Sequence, residues 1–189
     1  LFFSVGEVAN MAGVAATTPI TRMVGKKSTF IGSLVLLIVF NIAFFYVGTS
    51  ASGLWTMMVL QVLICVLTGV VSPLVWSMYA DISDYAELRF HTASTGLIFS
   101  SSSMAQKFGG AIGGAAVMWI LAAVGYNTAV DAVQTDSAIE GLRMLMSWVP
   151  AGVAAISLLF ILIYPLNSRR MTEIGHRLAE ERRNMEEKN

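Results

Sequence analysis

The chain has 189 residues, 56% of them hydrophobic and 13% charged, with a formal net charge of zero and a mean hydropathy of +0.69. A soluble domain carries roughly 25% charged residues, so this composition is that of an integral membrane protein, and with no basic face it is not a nucleic-acid binder. The single Cys65 has neither a disulfide partner nor companions at metal-ligand spacing, so no disulfide framework and no metal site are expected.

A helix of about 20 apolar residues spans the roughly 30 Å hydrocarbon core, and lipid forbids open strands. Five runs meet that need, which predicts an all-α bundle over residues 1–165 and a polar tail over 166–189. The opening residues show no basic n-region or cleavage site, so no signal peptide is read; the chain reads as a fragment beginning in or just before a helix. The first run, 3–22, is diluted by Glu7, Asn10, Thr17 and Thr18. It must face protein or a water-filled cavity, or else form a re-entrant or interfacial segment. Pro19 is expected to close it, and Gly25 to allow a tight turn in "PITRMVGKK" before the second run, 28–48.

The third run, 54–80, leads into "YADISDYAELRFHTASTG", where Asp81, Asp84 and Glu87 recur every third residue with Arg89 beside them. In a helical turn these carboxylates share a face and repel. A basic counterpart is therefore expected in Arg22, Lys26 or Lys27; the plainer reading is a solvated acidic loop beside a basic membrane anchor.

The fourth run, 93–124, carries Lys107 between uncharged flanks. A helix from residue 93 puts it roughly 21 Å along the axis, too deep to snorkel easily, where a lysine costs about 2.5 to 3.5 kcal/mol and usually faces a bundle interior or polar cavity. Ser100, Ser103, Gln106 and Lys107 form a stripe with Ser102 at its edge. Gly109 with Gly113, and Gly110 with Gly114, read as packing contacts of the small-xxx-small kind. Lys107 is either half of a structural ion pair or part of a solute or ion pathway. The fifth run is 141–165, and the tail after it is expected to lie helical along the membrane surface or to fray.

These strings carry a resemblance. "DISDYAELRF", "TGLIFSSSSMAQKFGGAIGGA" and "RMVGKK" resemble the glycoside-pentoside-hexuronide:cation symporters of the major facilitator superfamily, the family of the melibiose carrier. The resemblance implies that the chain corresponds to helices 8 to 12 of a twelve-helix fold, with the N-terminal half of the same polypeptide as its missing partner. It implies a sugar substrate, a coupling Na⁺ or H⁺ whose main site lies in that missing half, no other cofactor, and a place in the cell (inner) membrane.

Carried over by position, the resemblance makes Asp81, Asp84 and Glu87, with Arg89 and Arg22, parts of a cytoplasmic gate. Ser102, Ser103, Gln106 and Lys107 become the sugar- and cation-facing stripe, and Ser72 and Trp76 the cavity face of the preceding helix. Trp76 could stack on a sugar or simply pack. Many members have a basic residue shortly before the glycine matching Gly96, whereas this chain reads "HTASTG"; His91 or Arg89 substitutes for it, or the gate is weaker.

The chain is thus read as part of a sugar:cation symporter working by alternating access, not as an enzyme. The rivals are an intramembrane hydrolase, which would need carboxylates at membrane depth, and a channel or other non-transport subunit, which would need oligomeric pore symmetry. No Walker A string suggests ATP-driven transport.

Of the twelve lysines and arginines, all but Lys107 and Arg143 fall in the first and third connectors or the tail. Because cytoplasmic segments retain such residues, five spans place the N-terminus outside and the tail in the cytoplasm. In an otherwise cysteine-free carrier, cysteines at Ser50 and Gln134 should react with an impermeant thiol reagent added outside cells, and cysteines at Ser28 and Asn184 should not. The opposite pattern would invert the topology.

Overall fold

The computed structural model describes residues 2–48, 51–92, 94–129 and 133–186, and it is all-helical there. Ser50, Lys188 and the expected first residue of the fourth run, Ala93, lie outside the described residues. The helices are α1 (Phe2–Val24), α2 (Lys26–Tyr46), α3 (Ala51–Phe90), α4 (Thr95–Ala123), α5 (Asp136–Met146), α6 (Trp148–Ile163) and α7 (Ser168–Glu186). Lys26–Tyr46, Gly53–Phe90 and the α5–α6 segment Asp136–Ile163 are long and apolar enough to cross a membrane. At 23 and 29 residues, α1 and α4 have the length, but polar residues dilute both.

Three expectations are corrected. Pro19 does not close the first helix: α1 runs through it to Val24. Pro19 removes one backbone bond, to the carbonyl of Ala15 four residues back, and the helix continues past it; Thr17 Oγ1 and Thr21 Oγ1 bond Gly13 O at 3.0 Å and Thr17 O at 2.9 Å on either side. The turn waits for Gly25, whose φ of 85° suits glycine. Second, the acidic segment is no loop. Residues 81–90 contain no Gly or Pro and are rich in helix formers, so α3 continues to Phe90 and stops at His91, in the left-handed region at φ 50°. Its 40 residues make a rod of about 60 Å, twice the hydrocarbon core, so the acidic end projects beyond it. Third, the fifth run is two helices. Pro150 has no amide hydrogen and clashes with a carbonyl four residues back, so the chain breaks at Ser147, while Thr135 caps α5 by accepting from Ala138 N at 3.2 Å.

The core lies where α2 meets α3 and α6, with Phe30, Leu34 and Leu37 against Val70, Leu74 and Met78 on one side and Ala154 and Ile161 on the other. Each flank of α2 is closed by a cation. Lys27 Nζ, at the start of α2, donates to Leu162 O and Tyr164 O at the end of α6 (3.2 and 2.6 Å). Arg143, on α5 just before α6, donates to Phe45 O and Val47 O at the end of α2, both at 2.7 Å, and lies over the Phe45 ring. This explains the basic residue that departs from the charge rule: Arg143 answers helix-terminal carbonyls that lipid cannot satisfy.

α1 crosses α3 through glycines other than those expected. A Cβ on Gly13 would lie 2.0 Å from Val66 O, and one on Gly69 would lie 2.1 Å from Asn10 O. At Gly109, Gly110, Gly113 and Gly114 a Cβ would meet nothing within 4 Å, so within this chain those glycines pack nothing. The tail forms α7, whose Leu166 side and buried Ile174 and Leu178 dock on Ile82, Tyr85 and Leu88 of the projecting end of α3. Gly13→Leu and Gly69→Leu should each lower the thermal unfolding midpoint in detergent, by overpacking worth about 1 to 3 kcal/mol. Gly110→Leu should cost less in this segment; equal losses at all three positions would contradict the α1–α3 register.

Candidate functional site

Two polar regions stand apart from the core. The first is a cleft of about 460 Å³ where the α1–α2 turn, the projecting part of α3 and the α6–α7 turn converge, lined among others by Arg22, Lys26, Asp81, Asp84 and Tyr164. Lys26 Nζ and Asp81 Oδ1 form an ion pair at 2.7 Å, the carboxylate buried and the ammonium part-exposed. The turn at Gly25 delivers the lysine, and the helical extension of α3 delivers the aspartate. Asp84 and Arg22 line the same cleft, but among the described residues neither makes an ion pair. Glu87 lies two turns beyond Asp81.

Arg89 turns back on its own helix, donating to Tyr85 Oη at 2.7 Å and resting on the Tyr85 and Phe90 rings. His91 Nδ1 lies 3.8 Å from Glu181 Oε2 on α7. Neither Arg89 nor His91 reaches Asp81 or Asp84. The basic partner that the structure supplies is thus Lys26, one of the three that the first connector offered, and not the Arg22 or Arg89 that the resemblance added to the gate.

Tyr164 escaped the sequence reading because an aromatic at the end of an apolar run looks like an interfacial anchor. Its hydroxyl is buried without a partner among the described residues. Burial, with the Asp81 charge adding to it, pushes its ionisation up to about 12.

The second region is α4. Among the described residues none of its side chains is buried, and it meets the bundle chiefly at its two ends. At one end Ser83 Oγ and Thr95 Oγ1 are 2.6 Å apart, and Phe99 stacks on Trp76 with ring centroids 6.1 Å apart, Tyr79 packing edge-on to both. Lys107 stands twelve residues into α4, about 18 Å along it. It shares an open groove with Ser100, Ser103, Met104, Phe108 and Ala111.

Ser100 and Ser102 bond carbonyls of their own helix, at 3.1 and 2.7 Å, and Ser102 is half-buried. Gln106 lies just outside the groove, exposed. Lys107 makes no ion pair among the described residues, so any counter-charge comes from outside them. Ser72 is exposed on α3, while one face of Trp76 is taken by Phe99 and the indole remains 39% exposed. The structure therefore gathers Ser103 and Lys107 in one groove and Trp76 at its foot, with the Lys26–Asp81 pair at a separate end.

Residues 1–168 match the family described as MFS/sugar transport protein. The chain belongs to that family. It is 30% identical over 181 residues to the glucuronide carrier protein homolog of Escherichia coli (strain K12), covering 92% of this chain and 38% of that protein. Against the isoprimeverose transporter of Lactiplantibacillus pentosus it is 30% identical over 178 residues, covering 93% and 36%. Against the inner membrane symporter YicJ of Escherichia coli (strain K12) it is 33% identical over 177 residues, covering 93% and 38%. The chain thus spans little more than a third of the length of the curated relatives it matches. Membership in a family of carriers agrees with a polar, unburied helix beside a tightly packed scaffold.

Tyr164 gives a test of the cleft. Its ionisation is raised from the usual 10.0 to about 12, so between those values the folded chain keeps a proton that the unfolded chain has lost, and stability falls as pH rises through that window. Tyr164→Phe removes both the titration and a buried hydroxyl without a partner. The variant should melt in detergent at or above the wild-type temperature at pH 8, and its midpoint should fall less steeply between pH 10 and 12. Parallel curves would mean that the phenol is solvated.

Proposed function

We propose that this chain is the C-terminal part of a secondary active carrier that moves a glycoside, pentoside or hexuronide together with Na⁺ or H⁺. The carrier lies in the cell membrane with its tail in the cytoplasm, and the missing N-terminal half supplies the main cation site. The observation that carries the reading is Lys107. A cation near the bilayer midplane, beside Ser103 in an open groove and without a counter-charge among the described residues, suits a site closed by a second half, as in carriers whose halves rock about a midplane site. Ser102, Gln106, Ser72 and Trp76 border that face, and the relatives named as glucuronide, isoprimeverose and symport proteins support the substrate class.

The Lys26–Asp81 pair, with Asp84, Glu87, Arg22 and Arg89 around it, acts in this reading as the gate at the cytoplasmic end. A pair of this kind works on conformational populations, where about 1.4 kcal/mol shifts an equilibrium tenfold.

Uptake of labelled sugar into cells tests both parts. Lys107→Met should insert normally yet lose cation-driven accumulation far more than sugar binding in detergent, while Lys107→Arg, which keeps the charge but changes donor geometry, should retain part of it. Asp81→Asn should slow transport with sugar affinity nearly unchanged. A stable Lys107→Met carrier that accumulates sugar like wild type would remove the lysine from the pathway, and poor expression or a lowered melting temperature would instead mark a structural pair.

A further inference from the structure

The register of α1 against α3 sets a second ionisable residue at membrane depth. A Cβ at Gly6 would lie 2.9 Å from Cys65 Sγ, and Asn10 Nδ2 donates to Cys65 O at 3.3 Å, so Glu7 stands level with Cys65. Cys65 lies within the apolar span Gly53–Phe90, sixteen residues or about 24 Å along the helix from Asp81, which is level with the start of the α2 span at Lys26, and so still inside a hydrocarbon core roughly 30 Å thick. Ionisable side chains at that depth face a bundle interior or a water-filled cavity rather than lipid.

The packing fixes which side of α1 the glutamate occupies. Asn10 and Val14, on the same side of α1 as Glu7, meet the Cys65 and Gly69 side of α3. Gly6, Asn10, Gly13 and Thr17 thus form one face of α1 against α3, with Gly13 and Thr17 meeting Val66 and Val70, and exposed Glu7 lies at the edge of that face beside Val14, on the Cys65–Gly69 flank of the crossing. Helical periodicity carries the Cys65 side of α3 through Gln61, Thr68, Ser72 and Trp76, which makes a polar lane along an otherwise apolar rod, with Glu7 at its flank. The contact between Ser83 and Thr95 aligns α4 antiparallel to α3 and puts Lys107 level with Val71. Glu7 is then about 9 Å further along the axis than Lys107, on the side away from the Lys26–Asp81 pair.

We propose that Glu7 is a pathway carboxylate: an exposed anion beside the Gln61–Thr68–Ser72 lane that draws the coupling monovalent cation into the carrier from the side opposite the Lys26–Asp81 pair. This rests on the carrier reading above. A glutamate on the pathway lowers the cation concentration needed for uptake because its charge attracts the ion, so removing the charge moves that concentration while keeping the size of the side chain.

The test uses the intact carrier in cells. Sugar uptake is followed against Na⁺ at fixed pH and against pH at fixed Na⁺. Glu7→Gln should raise the concentration of one of these cations needed for half-maximal uptake by about tenfold, and Glu7→Asp should stay within about threefold of wild type. In a Cys65→Ser background, cysteines at Glu7 and Thr68 should react with a charged, membrane-impermeant thiol reagent, because the lane is wet. A Glu7→Gln carrier with wild-type cation dependence, or lane cysteines that stay unreactive while a cysteine at Gln134 reacts, overturns the proposal. Should Glu7→Gln fail to insert, labelling at Thr68 decides alone. Wild-type carrier without gradient-driven uptake would refute the carrier reading itself, whatever the labelling shows.

Discussion

Two cations, each donating to the last carbonyls of a neighbouring helix, hold the scaffold of this segment together. Lys27 answers the end of α6, and Arg143 answers the end of α2. A helix leaves its final carbonyls without intrahelical donors, and in a bilayer no water replaces them. Because the two helices run antiparallel and each cation belongs to the segment beside the other helix, the clamps lie at opposite ends of one pair. They fix the register in which Phe30, Leu34 and Leu37 meet Ala154 and Ile161. The same turn that brings Lys27 to α6 brings Lys26 to Asp81, so scaffold and ion pair share one short connector.

Against that scaffold the remaining helices divide into a packed crossing and an open face. α1 lies so close to α3 that Gly13 and Gly69 have no room for a side chain, and the polar atoms between them are satisfied by Asn10 and Thr17. α4 is the reverse. It buries no side chain, and a Cβ on any of its five glycines would meet nothing within 4 Å. A helix with a mid-length lysine and no buried side is unfinished by itself in lipid, which agrees with relatives that are nearly three times as long as the stretch matched here. The aromatic group of Trp76, Tyr79 and Phe99 ties the foot of α4 to α3, so the open face is held in place without being covered.

α7 adds a third layer at the projecting end. By docking Ile174 and Leu178 on Ile82, Tyr85 and Leu88, it braces the part of α3 that carries Asp81, Asp84 and Glu87. Without it the last turns of α3, beyond the Lys26–Asp81 pair, would have far less of their apolar surface covered.

The sequence by itself determined what depends on local chemistry and run length: a membrane protein, all-helical, with elements within two or three residues of those seen for α1, α2 and α4, and a lysine deep in the fourth. It also carried the strings that resemble a sugar:cation symporter family, and the family match agrees. What it could not hold was any property requiring two elements at once. The prolines were local matters of another kind: one lost bond did not end α1 at Pro19, whereas the ring of Pro150 conflicts with the preceding turn and the last run breaks at Ser147. Four consecutive-looking glycines in α4 resembled a packing motif, yet the glycines that pack are Gly13 and Gly69, since closeness is a property of two backbones and not of one spacing. Lys26 rather than Arg22 found Asp81 for the same reason: all three basic residues lie within reach by sequence, and only the direction of the turn at Gly25, set against the rod of α3, decides which ammonium group arrives at the carboxylate.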